Sequence, residues 1–139
     1  MKGKFIVFEG IDGCGKTTQL LKTIEWLSEE YKQYQVVYAK EPTYNSKAGL
    51  LLRKRLMMGK KPEEEGQLFC RLMVKDRAEH CAKLIKPALH YGCIVLCDRY
   101  SYSTFAYQQA QGISFEPVSY THLRAHETRH DLVCRLLLE

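Results

Sequence analysis

The run Gly10-Ile11-Asp12-Gly13-Cys14-Gly15-Lys16-Thr17 constrains this chain more than any other feature. It matches Gly-x-x-x-x-Gly-Lys-Thr without a mismatch, a pattern that cradles phosphate groups. The apolar segment Phe5-Ile6-Val7-Phe8 precedes it and a helical pattern follows, so strand, loop and helix stand in the order the motif needs. Glycines let the backbone curl until successive N–H groups point at phosphate oxygens. Gly10, Ile11, Asp12, Gly13, Cys14, Gly15, Lys16, Thr17 and the following Thr18 are therefore the candidate ATP-binding residues. In this pattern Lys16 reaches the β- and γ-phosphates, and the Thr17 hydroxyl sits on Mg²⁺. A plain Gly-rich turn is the competing reading, and the flanking strand and helix argue against it.

A length of 139 residues predicts one domain. With 45% hydrophobic and 27% charged residues, the chain reads as globular rather than disordered. A formal net charge of +5 suits phosphate-rich ligands. The basic residues are dispersed apart from Arg53-Lys54-Arg55 and Lys60-Lys61, so no nucleic-acid polymer is expected as partner. Six cysteines are present, none in Cys-x-x-Cys, and several lie in apolar runs such as Cys93-Ile94-Val95-Leu96-Cys97. They read as reduced thiols of a cytoplasmic protein. The N-terminus enters a strand at once, without a signal peptide, and no apolar run approaches a membrane span.

Periodicity predicts strands over 4–9, 35–39 and 94–97, and helices over 16–31, 47–58 and 101–109. A longer helix is expected from about 66 to 91, ended or kinked by Pro87. Alternating strands and helices predict an α/β fold with a parallel sheet and flanking helices. Ligands bind such sheets beyond the carboxyl ends of the strands. The phosphate loop, Glu41 and Asp98-Arg99 all fall there.

Four further blocks carry a resemblance: Phe8 to Gln19 around the loop, Lys40-Glu41-Pro42-Thr43, Asp76-Arg77-Ala78-Glu79-His80, and Asp98-Arg99-Tyr100 running on to Ala106-Tyr107-Gln108. In this order they resemble the thymidylate kinases over residues 1–117. The resemblance implies a P-loop nucleoside monophosphate kinase fold and phosphoryl transfer from ATP, with Mg²⁺, to dTMP. Lys16, Asp98 and Arg99 are the implied catalytic residues, with Thr17 and Asp98 toward the metal. Asp12 matches a residue that binds the sugar 3′-hydroxyl, and Arg77 one that contacts thymine. Tyr107 matches an aromatic that crowds the sugar C2′. Ser103 and Gln108 match base-site or support positions, Glu41 and Pro42 the acceptor-pocket loop, and Arg53 a candidate for the acceptor phosphate. Met73 stands where many members carry a base-stacking aromatic, and Phe69, one turn earlier, is a candidate substitute. Members lacking an arginine at position 13 supply one from a later lid. A homodimer through helices is also implied.

From Val118 the character changes. Residues 118–139 resemble a translated sequencing-library adapter, so they are expected to be a non-native tail. His122, His126 and His130, at helical spacing, then reflect a reading frame rather than a metal site. The family fold would accordingly stop after its third strand. That would leave Phe5 to Phe8 at a bare edge, with marginal stability and little turnover. Two other functions compete: another P-loop nucleoside monophosphate kinase, and a nucleotide-binding switch. Asp12, Arg77 and Tyr107 favour dTMP over the first, while Asp98-Arg99 and Glu41-Pro42 speak against the second.

Overall fold

Backbone hydrogen-bonding groups that leave water must find partners. In the computed structural model, which describes residues 2–59, 65–110 and 131–135, four parallel strands meet that demand. They are β1 (Lys4–Glu9), β2 (Val36–Lys40), β3 (Ile94–Asp98) and β4 (Asp131–Arg135), in the spatial order β2-β3-β1-β4. The helices are α1 (Lys16–Glu30), α2 (Lys47–Met57), α3 (Gly66–His80), α4 (Lys86–His90) and α5 (Ser101–Ala110). The described residues divide into two compact units. One comprises 2–41, 82–100 and 131–135, the other 42–59, 65–81 and 101–110.

The sheet lies in the first unit. β3 is buried along all of Ile94–Asp98, and its apolar run Ile94–Cys97 suits a strand with both faces covered. Side chains alternate along a strand. On β1, Ile6 and Phe8 pack with Leu20, Ile24 and Leu27 of α1 and with Ile94 and Leu96 of β3. Phe5, on the opposite phase, meets the Tyr100 ring edge-on at 5.0 Å between centroids. The register pairs Phe8 with Asp98 and Lys40 with Asp98, so β1, β2 and β3 finish together.

The fourth strand corrects an expectation. The sheet does not stop after its third strand, and β1 is not at an edge: it pairs with β4 from Phe5↔Asp131 to Glu9↔Arg135. The physical reason is the one that made the edge a liability. A row of unpaired N–H and C=O groups is a template for any extended segment the chain can supply.

The long helix expected over 66–91 is interrupted. A π-helical turn, Cys81–Ile85, separates α3 from α4. Pro87 has no N–H to offer the Lys83 carbonyl one turn back, and its ring crowds that carbonyl, so the backbone widens before the proline rather than at it.

The second unit is helical. α2 and α3 share a core of Ala48, Leu52, Phe69 and Leu72, with Leu68 and Met73 packed against it. The Ser46 hydroxyl caps α2 by accepting the Gly49 N–H at 2.8 Å. Among the described residues no helix is long and apolar enough to cross a membrane. The five cysteines with described side chains are free thiols, as expected.

Candidate functional site

The loop between β1 and α1 turns on two glycines in the left-handed region, Gly13 (φ 79°) and Gly15 (φ 82°). A Cβ at either would meet nothing within 4 Å, so the demand for glycine here is conformational and not spatial. Gly15 is also the N-cap of α1, which begins with no side-chain cap and no acidic residue in its first turn. The first N–H groups of a helix have no partner within it, and with the helix dipole they attract anions. Thr17 and Thr18 stand exposed on that first turn, Ile11 and Asp12 are exposed, and Cys14 is half-buried.

Lys16 is buried at the start of α1, and its charge has a partner. Its Nζ lies 3.4 Å from Asp98 Oδ1 at the end of β3. Lys40, at the end of β2, places its own Nζ 3.4 Å from Asp98 Oδ2. Two cations from neighbouring elements thus hold one carboxylate whose side chain is only 2% exposed. Among the described residues, Asp98 Oδ1 nonetheless has no hydrogen-bond donor in suitable geometry. Glu41 is buried beside this cluster, and its N–H donates to the Asp98 carbonyl at 3.1 Å.

Arg99 follows directly. Its Nη2 donates to Asp12 Oδ1 at 2.6 Å, linking the end of β3 to the phosphate loop. Its backbone φ is 70°, the one positive value at a non-glycine residue among the described residues. Such a conformation persists where surrounding bonds over-determine it, and it clusters at functional sites. Asp12, Lys16, Asp98 and Arg99 are therefore brought together, as the three strand ends predicted.

The remaining candidates form their own set in the second unit. Arg77 is fully buried on α3, and its Nη2 donates to Thr104 Oγ1 on α5 at 2.9 Å. A buried guanidinium is costly unless it is paired and hydrogen-bonded; an ordinary surface arginine is thereby excluded. Met73, half-buried, sits with its sulfur 4.0 Å from the same hydroxyl. Ser103 is buried on α5. The side chains of Tyr107 and Gln108 lie outside the described residues, as do His122, His126 and His130. Phe69 is buried in the α2–α3 core with Ala48, Leu52 and Leu72.

Arg53 is occupied by the loop that begins at Pro42. Its Nη2 donates to the Pro42 carbonyl at 2.7 Å and its Nε to the Thr43 carbonyl at 3.4 Å. The guanidinium carbon lies 3.2 Å from the centre of the Tyr44 ring. From the other side Asp76 accepts the Thr43 N–H at 2.7 Å and the hydroxyls of Thr43 and Ser46. Loop 42–46 is thus clamped by α2 and α3 together. A Cβ on Gly49 would come within 2.7 Å of Asp76 Oδ1 and would also meet the Thr43 backbone carbonyl. Gly49→Ala is expected to cost about 1–3 kcal/mol through this overpacking, measured as a lowered urea midpoint with an unchanged slope.

Sequence reasoning passed over Glu9, Lys40, Asp76 and Thr104. The signal for Lys40 was its place at a strand end. For Asp76 it was an acidic residue beside an arginine in the middle of a helix. The bonds themselves join positions tens of residues apart.

Comparison with known proteins shows the family. The family model described as thymidylate kinase matches residues 8–132. A probable thymidylate kinase of Pyrococcus horikoshii is 47% identical over 118 residues, covering 81% of this chain and 55% of that protein. One from Thermococcus kodakarensis is 45% identical over 122 residues, covering 81% of this chain and 56% of its own length. The chain thus spans little more than half the length of these relatives. The crystal structure of thymidylate kinase from Ehrlichia chaffeensis superposes with a TM-score of 0.79 at 34% identity, covering 100% of this chain and 78% of that one. With the family pattern running through residues 8–132 and a solved member of that name superposing on the fold, the chain belongs to the thymidylate kinase family.

Proposed function

We propose that this protein transfers the γ-phosphoryl group of ATP to dTMP, giving ADP and dTDP. One observation carries the reading: Lys16, Asp98 and Arg99 gather at the phosphate loop, with Arg99 tied to Asp12 at 2.6 Å. In this transfer an oxygen of the dTMP phosphate attacks the γ-phosphorus, and the bond to the β–γ bridging oxygen breaks. The transition state is loose, so alignment and positive charge do most of the work. Lys16 supplies charge on the donor side when it leaves Asp98 for the phosphates. Arg99 offers a planar fork suited to the acceptor monophosphate.

The residues fit Mg²⁺ entering with ATP. Asp98 Oδ1 is a buried carboxylate oxygen without a hydrogen bond among the described residues, and Thr17 is exposed on the first helical turn. Mg²⁺ is commonly held by one or two protein oxygens, substrate phosphates and water. When bound, it neutralises charge developing between the β- and γ-phosphates.

For dTMP itself, Arg77 and Met73 would meet the base, with Ser103 and Gln108 in support. Asp12 and Tyr107 would meet the sugar, and Glu41 and Pro42 would shape the pocket. Arg53, which also holds the Pro42 carbonyl, would offer its remaining donors to the acceptor phosphate. A homodimer and a cytoplasmic location belong to the same proposal. So does a division of the chain at residue 117, which the source DNA read across that codon would test.

The functional test is titration of the protein with Mg-ATP and with dTMP, together with coupled ADP release using dTMP, dUMP, AMP or no acceptor. Saturable binding of both ligands, with ADP release that needs dTMP, is the expected result. A preference for AMP would point to another monophosphate kinase, acceptor-independent hydrolysis to a switch module, and binding of neither ligand would end the assignment.

A further inference from the structure

We propose that Glu9 is a positioning residue for the acceptor phosphate: its carboxylate straps the Tyr100 amide and so holds Arg99 in the backbone conformation that presents its guanidinium. The proposal rests on the kinase reading of Arg99 given above. Three observations lead to it.

First, the left-handed conformation of Arg99 is disfavoured for an L side chain, because Cβ crowds the carbonyl oxygen. Something must hold it. Second, the peptide groups on both sides of Arg99 are tied down. The Arg99 N–H donates to the Phe8 carbonyl at 3.0 Å, and the Tyr100 N–H donates to Glu9 Oε1 at 2.9 Å. The Cys97 thiol donates to the Arg99 carbonyl at 3.1 Å. Consecutive amides of a regular strand point to opposite neighbours, yet these two both turn to the end of β1. The ladder between β1 and β3 ends at Phe8↔Asp98. Beyond it, a side chain takes over from the backbone as acceptor.

Third, Glu9 is the last residue of β1 and the phosphate loop begins at the next position. The end of β3 is therefore fastened to the donor loop twice, by the Glu9–Tyr100 bond and by the Arg99–Asp12 pair. Asp12 is 90% exposed and water competes for its bond, whereas Tyr100 is buried and its amide donates to Glu9. Without the carboxylate, the Tyr100 N–H loses its acceptor. The peptide can then rotate back toward an ordinary conformation, and the Arg99 side chain swings with it. The donor loop keeps its own glycines and Lys16, so the effect falls on the acceptor.

The test compares Glu9→Ala, Glu9→Gln, Arg99→Ala and the double variant in the full chain, using dTMP and Mg-ATP titrations and amide exchange at Tyr100. Glu9→Ala is expected to weaken dTMP binding about tenfold, as loss of a charge-assisted hydrogen bond allows, and to shift Mg-ATP affinity by less than about twofold. Glu9→Gln keeps an oxygen that accepts the amide and should recover most of the dTMP affinity. The double variant should bind dTMP no more weakly than Arg99→Ala alone, since Glu9 acts through Arg99. Tyr100 exchange should quicken in Glu9→Ala and stay slow in Glu9→Gln. Should Glu9→Ala not fold, Glu9→Asp, which is one methylene shorter, carries the same expectation.

Equal weakening of both ligands would make Glu9 a general support of the loop and overturn the proposal. An unchanged dTMP affinity, or Tyr100 exchange indifferent to Glu9, would overturn it too. If the unmodified protein binds no dTMP, the kinase reading fails. Exchange at Tyr100 then still decides the strap on its own.

Discussion

Lys16→Met is expected to weaken Mg-ATP binding by about ten- to a hundredfold, because it removes charge-assisted hydrogen bonds to two phosphates. The dTMP affinity should change far less. The same lysine is the partner of Asp98 at 3.4 Å. Its loss leaves a buried carboxylate with Lys40 as its remaining cation among the described residues. Lys40 is partly exposed and water screens its contribution, so the folded state should also lose about 1–3 kcal/mol. Titration calorimetry and urea unfolding separate the two effects. An unaltered Mg-ATP affinity would mean that the loop does not receive the donor phosphates.

Asp76→Ala is the second large effect, and it falls on stability. Asp76 accepts from the Thr43 backbone and from the hydroxyls of Thr43 and Ser46. Ser46 in turn accepts the Gly49 N–H at the head of α2. Alanine leaves a buried amide and two buried hydroxyls without their acceptor. The hydroxyls can rotate to other acceptors, but the amide cannot, so a loss of about 2–4 kcal/mol is expected. For a unit of this size that is a fall of more than about 8 °C in melting temperature. Asp76→Asn should recover only part of it, since one oxygen becomes an amide that faces donors. A variant as stable as the parent would show that loop 42–46 is held by Arg53 alone.

The two predictions differ in how far the sequence anticipated them. Lys16 was legible because the phosphate motif is local: its glycines, lysine and threonine act through backbone angles and a helix start a few residues apart. Strands β1 and β3 were legible for the same kind of reason, as short apolar runs cut off by glycine or by charge. The meeting of Asp98 with Lys16 was legible in outline, since parallel strands bring their carboxyl ends to one side. Asp76 was not legible. It looked like a polar residue in a helix, and its partners lie 30 and 33 positions away. That two donors of Arg53 hold the carbonyls of Pro42 and Thr43 was not legible either. The place of Phe69 in the α2–α3 core was likewise set by packing between distant segments.

Local chemistry written in the chain therefore determined the loop, the alternation of strands and helices, the parallel sheet and the candidate ligand groups. Tertiary structure alone decided which polar groups face one another. It set Lys40 against Asp98, placed Glu9 beneath the Tyr100 amide, turned Arg99 to a φ of 70° and gave β1 a second neighbour in β4. The reason is physical. Backbone preference and hydrophobic period act over a few residues, whereas a buried charge or a bare strand edge is satisfied by whatever the completed fold brings within reach.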